Sequence, residues 1–446
     1  MVTRPFEILT SYFSRELCSS VFVSRLDPDR DYAGRIAWRP GMRWLNWAVR
    51  FDVDRSRREV GCSLMGLFRN RAVYRDALGT LAVRGPEPTA PAVRDRHFLA
   101  ADATGPLFPE IAGPAVVEPT NPLVSAALDQ AFAEPARPPF RGTKAVVVVQ
   151  EGRVVAERYA PDYGTQTPIL GYSNAKSILS ALIGILVRQG RLAVEKPAPV
   201  PEWADPADGR HAITIDHLLR MTSGLAPSDR IAPFDRVSRM LFLERDMGAF
   251  AAQTALRTMP GKLWDYSNAN TIILSRIVRD AVGGRAIDVL QFSHRELFQP
   301  LGMRNVTIEF DATGTPIGST YIFATARDWA RFGMLYLNDG VVGGRRILPE
   351  GWVRYSSTPT LDTGYGAGFW TNRVKGEVPK WHVPWEIPGA PDDTFSARGN
   401  MGQFVIVIPS KQLVIVRFGL SHARDIDHKG VGRLVASTIA ALDNSK

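Results

Sequence analysis

The stretch Gly171-Tyr172-Ser173-Asn174-Ala175-Lys176-Ser177, continued as ILSALIGILVRQG to Gly190, decides how this chain is read. From Ala175 to Val187 nearly every residue is apolar or small, and a helix without a polar face is a buried one. Arg188 lies in the last turn and Gly190 comes after it, as at many helix ends. The pattern predicts a helix that starts near Ser173 and enters the core with a serine and a lysine at its mouth. Residues three apart share a helical face. A serine hydroxyl is a poor nucleophile until a base takes its proton. Lysine serves as that base only when neutral, and burial near the positive end of a helix lowers its pKa. The plainer alternative is an N-cap serine with a surface lysine one turn on. This segment alone leaves both open, because S-x-x-K is common by chance.

Composition narrows the function class. The 446 residues allow one large or two to three ordinary domains, and 45% hydrophobic residues supply ample core. The net charge of +9 comes mainly from arginines that read as scattered, with no basic stripe interleaved with aromatics. A nucleic-acid partner is therefore not expected. Two cysteines, Cys18 and Cys62, exclude a Cys-rich zinc module or disulfide scaffold; one bridge or two buried thiols stay open. The N-terminus lacks the apolar core of a signal peptide, and no apolar run approaches a membrane span. The expectation is a cytoplasmic protein as written, periplasmic if an upstream segment is missing.

Residues 1–118 differ from the remainder of the chain. They carry short β-like runs (SSVFVS, RFDVD, EVGCSLMGLF, TLAVRG) and a proline-rich stretch, Pro86 to Pro91. They read as an N-terminal extension or small subdomain with no attached chemistry. From 119 to 446 the chain reads as a single domain. NPLVSAALDQAF predicts a helix capped by Asn121, and KAVVVVQEGRVVAERYA a hairpin turning at Glu151-Gly152. Next comes a long helical middle, including a helix from Thr214 stopped by Gly224. QFVIVIPSKQLVIVRFG then predicts a second hairpin, and GVGRLVASTIAAL a closing helix. The two hairpins most simply share one antiparallel sheet with the terminal helices on it, an α+β fold with a helical lobe.

A serine–lysine hydrolase also needs a proton path to the leaving group and an oxyanion hole. Pro260 to Asn268 (PGKLWDYSN) is a turn-rich loop leading into a helix; it offers Tyr266 as proton shuttle and Asn268 to orient the lysine or substrate. Ala397-Arg398-Gly399-Asn400-Met401-Gly402-Gln403 enters the last hairpin, where Gly399, Asn400 and Gly402 let a strand edge approach a substrate.

These motifs together resemble the serine β-lactamase and penicillin-binding-protein superfamily, closest to its class C-like branch of esterases, D-aminopeptidases and 6-aminohexanoate-oligomer hydrolases. Its landmarks are S-x-x-K, Y-x-N or S-x-N, and a K-T-G-like strand. Here they are Ser173 to Lys176, Tyr266-Ser267-Asn268 and a degenerate Ala397-Arg398-Gly399. ITIDHLLRMTSGL and FATARDWARFGMLYLNDG are similar to family segments too. The likeness spans roughly residues 120–446. It implies a class C β-lactamase-like fold, with Ser173 as nucleophile and Lys176 with Tyr266 as base and proton donor. It also implies an oxyanion hole from the N–H groups of Ser173 and Asn400. No cofactor or metal is implied, and the substrate is a small ester, amide or peptide. Ala397 and Arg398 replace the lysine or histidine and threonine of true β-lactamases, which favours an esterase or amidase.

For Tyr365 and Trp370, in YGAGFW, core packing is the default role and lining the cleft the alternative, while Arg398 is expected either to recognise a carboxylate or to point out of the sheet. Two rivals stand beside this reading. An α/β-hydrolase would use Gly171 to Ala175 as a loosened nucleophile elbow, but it would leave Lys176 without a role. A non-catalytic relative would bind acyl groups as a sensor. His422, Asp425, Asp427 and His428 suggest a metal site less than a solvated polar loop, and His217 reads as a packing or surface histidine.

Overall fold

The computed structural model describes residues 4–39, 41–84, 113–226, 235–378, 383–423, 425 and 427–444. Among them six helices reach eleven residues or more: α1 (Arg4–Ser19), α2 (Pro122–Phe132), α3 (Ala175–Arg188), α4 (Asn268–Val282), α5 (Ala326–Leu337) and α6 (His428–Asp443). The strands that matter here are β1 (Val49–Asp54), β2 (Glu59–Leu64), β3 (Leu67–Arg75), β4 (Gly79–Val83), β5 (Thr143–Gln150), β6 (Arg153–Tyr159), β7 (Trp370–Thr371), β8 (Phe395–Gly399), β9 (Gln403–Ile408) and β10 (Leu413–Gly419). The chain divides into two compact units. One is Met1–Ala100 with Ala193–Phe292 and Thr307–Phe323; the other is Ala101–Leu192 with Ser293–Val306 and Ala324–Lys446.

The second unit holds the predicted sheet. Both hairpins join in one antiparallel sheet of order β7-β8-β9-β10-β5-β6. Along β9 and β10 every residue is buried, because both faces are covered. Ile406, Ile408, Leu413 and Ile415 pack on one face with Val124 and Leu128 of α2 and Val431, Leu434 and Val435 of α6. On the other face α5 approaches closely, so a Cβ at Gly333 would stand 2.6 Å from Val414. Asn121 caps α2 as expected, its side chain accepting from the N–H groups of Leu123 and Val124.

The N-terminal segment is a helix followed by a small antiparallel sheet. It shares a compact unit with the helical middle of the chain. Residues 4–19 are the helix α1, and SSVFVS continues in helical turns rather than a strand. The other runs form the four-stranded antiparallel sheet β1-β2-β3-β4, with EVGCSLMGLF folded back on itself at Met65-Gly66. Helix α1 escaped notice because much of its buried side is polar: Thr10, Ser11, Ser14, Arg15, Glu16 and Ser19 are all buried. Tertiary partners satisfy them, as buried polar groups require. Ser11 donates to the Phe242 carbonyl (2.6 Å), and Arg15 pairs with Glu309 (2.8 Å), which also accepts from Ser19 (2.6 Å). Cys18 and Cys62 are buried free thiols. Burial raises the Cys18 pKa to about 12, so it stays protonated. The proline-rich stretch 86–91 lies outside the described residues.

Candidate active site

Ser173 occupies a tight turn, Tyr172–Asn174, and α3 begins at Ala175. The α-helix thus starts two residues later than predicted, with Lys176 in its first turn. The Lys176 ammonium donates to Ser173 Oγ at 3.0 Å. Lys176 is only 3% exposed. Losing water disfavours its charged form, and its pKa falls from 10.5 to about 7. Lysine in this state is a base at neutral pH, and with the proton gone the same contact runs in reverse, from hydroxyl to amine. The opening choice between a buried pair and a surface lysine is settled by this burial.

Tyr172, immediately before the serine, has φ 46°, a left-handed conformation that costs a non-glycine residue energy. Its side chain is buried, and its hydroxyl donates to Met401 Sδ at 3.5 Å. Sequence reading passed over this residue. Deeper along α3, Ser177 donates to the Gly368 carbonyl (2.6 Å) and Ser180 to that of Ala367 (3.0 Å). These bonds fasten YGAGFW to the helix.

The strand β8 meets this turn through a glycine. It pairs with β7 only at Phe395 and Ser396, so its outer edge beyond them has no strand partner among the described residues. There Gly399 lies against Gly171, and a Cβ on it would come within 2.3 Å of the Gly171 carbonyl oxygen. Met401 (φ 61°) and Gly402 (φ 87°) close the hairpin in left-handed conformations. Asn400 is exposed and its Oδ1 accepts from the Met401 N–H (3.0 Å). The Gln403 amide ties the turn by donating to the Asn400 and Gly419 carbonyls.

Arg398 is engaged by the protein's own acceptors. Its buried guanidinium donates to Ser396 Oγ (3.0 Å) and to the carbonyls of Pro384 (3.3 Å) and Trp385 (2.6 Å). It also stacks over the Trp370 ring at 5.4 Å. Burial lowers its pKa to about 9. Tyr365 and Trp370 are buried as well, packed edge to face at 5.0 Å, so this cluster is core rather than open cleft wall. Two residues of the polar tail are tied into the fold. Asp427 pairs with Arg417 (3.0 Å), and the buried His428 ring bonds the Glu386 carbonyl (2.7 Å). Among the described residues no cluster of three or more His, Cys, Asp or Glu side chains could hold a metal ion.

The other compact unit carries Tyr266-Ser267-Asn268, where Ser267 caps α4 by accepting from the Asn270 N–H (3.3 Å). Tyr266 and Asn268 are both buried. Their loop is held by MTSGL, a motif read from sequence only as a helix stopped by Gly224. The helix there is Ile215–Leu219, and Met221 turns left-handed (φ 62°). Its carbonyl accepts from Asp265 N–H (2.8 Å), and its sulfur from Ser267 N–H (3.4 Å). Ser223 donates to Asn270 Oδ1 (2.9 Å). Gly224 lies under the same loop, where a Cβ would reach 2.2 Å from the Thr258 carbonyl oxygen. His217 forms a capping box with Thr214, a structural role.

The Beta-lactamase family model matches residues 138–424, which include the serine–lysine turn, the tyrosine loop and β8. The chain belongs to this family. It is accordingly a serine hydrolase. Among curated proteins it is 27% identical over 292 residues to a 6-aminohexanoate-dimer hydrolase of Paenarthrobacter ureafaciens, covering 62% of this chain and 72% of that one. Similar solved folds include a family VIII carboxylesterase, with a TM-score of 0.57 at 17% identity over 73% of this chain and 99% of the other. A penicillin-binding-protein homologue from Caulobacter crescentus has a TM-score of 0.56 at 20% identity, over 73% and 99%. The antiparallel sheet with helices on its faces is the α+β family fold. No helix among the described residues is long and apolar enough to cross a membrane.

Proposed function

We propose that the protein cleaves small carboxylic esters or amides through an acyl-enzyme on Ser173. The observation that carries this reading is the 3.0 Å contact between Ser173 and a buried lysine whose pKa lies near 7. Neutral Lys176 takes the hydroxyl proton as Ser173 Oγ bonds to the substrate carbonyl carbon. The oxyanion is held by the Ser173 N–H and by the edge of β8 near Gly399 and Asn400, with Gly402 shaping the turn. On collapse the leaving alkoxide or amine departs with the proton returned from Lys176 through Tyr266. Water then attacks the acyl carbon, giving the acid and free serine. Asn268 orients Lys176 or the substrate. Tyr266 and Asn268 enter on the strength of the motif order.

An ester or amide is favoured over a β-lactam because the Arg398 guanidinium is committed to the Trp385 carbonyl, the Pro384 carbonyl and Ser396. It is not available to hold an antibiotic's carboxylate. The similarity to a 6-aminohexanoate-dimer hydrolase and to a family VIII carboxylesterase supports ester or amide hydrolysis in general. Cleavage of D-amino or linear peptides and weak β-lactam hydrolysis are narrower forms of the same chemistry.

The test is intact-mass spectrometry after brief exposure to p-nitrophenyl butyrate, with nitrophenol release followed in parallel, for wild type and Ser173→Ala. A transient butyryl adduct and turnover in wild type alone is the expected result. An adduct that never clears points to a sensor, and equal behaviour of both proteins overturns the assignment.

A further inference from the structure

The arginines are less scattered than they first read. Residues 1–84 hold fifteen arginines against nine carboxylates, a net +6 of the chain's +9. Inside that segment, Trp38-Arg39-Pro40-Gly41-Met42-Arg43-Trp44-Leu45-Asn46-Trp47-Ala48-Val49-Arg50 places three of the ten tryptophans within ten positions, interleaved with arginine. Their rings do not enter the core. Trp38 is 50% exposed, Trp44 74% and Trp47 69%. The Met65 N–H donates to the Ala48 carbonyl (2.7 Å), which sets the β2–β3 turn beside this loop. There Met65 is 63% and Leu67 60% exposed. Half of the ten exposed large apolar side chains among the described residues therefore lie on these two neighbouring segments.

The loop is held in shape. Trp47 Nε1 donates to the Trp44 carbonyl (3.0 Å), and exposed Arg50 donates to the carbonyls of Trp47 (2.7 Å) and Val49 (2.9 Å). Exposed apolar side chains gathered on two neighbouring segments mark an interaction site. We infer that this tryptophan–arginine edge docks the protein on an anionic phospholipid bilayer. Indole rings, apolar in body and polar at the N–H, prefer the headgroup boundary, and a cationic group beside them, here the exposed Arg50, is drawn to lipid phosphates. Single-stranded nucleic acid is met by stacking rings along a positively charged groove, where the exposed apolar Met65 and Leu67 have no role, whereas a bilayer takes them up. The basic balance of residues 1–84 selects the anionic surface. The proposal uses none of the residues assigned to Ser173 chemistry, so either conclusion can fail without the other.

The test uses the full chain and sedimentation with vesicles of phosphatidylcholine alone or with an equal part of phosphatidylglycerol. Tryptophan emission is recorded in each. Expected are binding to the anionic vesicles with a blue shift, at least tenfold weakening with phosphatidylcholine alone or 0.5 M NaCl, and a similar loss in Trp44→Ala/Trp47→Ala. That variant should keep wild-type circular dichroism and ester turnover. Met65→Ser/Leu67→Ser is a second variant should the first misfold, and it should weaken binding in the same way. No binding at low salt, equal binding to both vesicles, or undiminished binding by the folded variants overturns the proposal. So does a dimer by light scattering that the variants abolish, or oligonucleotide binding that they remove, since either would give the edge a different occupant.

Discussion

The Lys176 amine lies 3.0 Å from the Ser173 hydroxyl, and the burial that puts it there also brings its pKa to about 7. One environment thus supplies both proximity and basicity. The acylation rate should rise with pH through about 7, as the amine loses its proton, and level off by about pH 9. Stopped-flow nitrophenol bursts between pH 5.5 and 9.5 measure this. A flat profile would count against Lys176 as base.

Removing either partner should be severe. Ser173→Ala and Lys176→Ala should each lose at least about 10³-fold in kcat/KM, the scale of nucleophile or base deletions. Tyr266→Phe should lose at least about 10²-fold, the lower scale of a proton-transfer group. Lys176→Arg should not rescue, because a guanidinium stays protonated. Steady-state kinetics on one activated ester compares all four.

The same lysine should cost stability. Its folded pKa is about 7 against an ordinary 10.5, so between these values the unfolded chain binds more protons than the folded one. Stability linked to this group therefore rises with pH across that window, and below pH 7 the penalty is fully present. Lys176→Met should be inactive yet more stable than wild type at pH 6, by up to about 5 kcal/mol at 1.36 kcal/mol per unit. The advantage should shrink towards pH 10. Urea melts at the two pH values read it.

Gly399→Ala tests the approach of β8 to the serine turn. Its methyl group would stand 2.3 Å from the Gly171 oxygen, and both are main-chain positions, so the backbone itself must move. Overpacking of this kind costs about 1–3 kcal/mol. The displaced turn should also lower kcat at least tenfold with KM little changed. Wild-type kcat in this variant would show that the edge plays no part in catalysis.

Arg398→Met separates a structural arginine from a substrate clamp. Deleting the guanidinium leaves the Pro384 and Trp385 carbonyls without their donor, which should destabilise the fold by about 1–3 kcal/mol. KM should change by the same factor for neutral and carboxylate-bearing esters. A selective loss for the carboxylate would instead mark recognition.

Much of the second unit was legible because its signals are local. VVVV, FVIVI and LVIV read as strands, and their lack of alternation reflects helices on both faces of the sheet. Helix α3 was visible for the same reason, since a segment apolar all round has nowhere to lie but the core. The serine–lysine spacing needs only helical geometry. Helix α1 was not legible, because Ser11, Arg15 and Ser19 are buried against groups more than two hundred residues away. Hydropathy pattern carries no trace of such partners. Arg398 was ambiguous in the same way, its buried donors meeting carbonyls over ten residues upstream.

By itself, then, the sequence determined the α+β class, the two hairpins, and a serine three residues before a lysine on a helix bound for the core. Tertiary structure alone decided the rest. It buried Lys176 and so lowered its pKa, brought Gly399 against Gly171, and committed Arg398 to main-chain carbonyls. It also made residues 1–84 part of a compact unit with one aromatic edge left in solvent. Helix and strand periods are set by neighbours in the chain, whereas desolvation and close approach depend on which distant segments exclude water from a side chain.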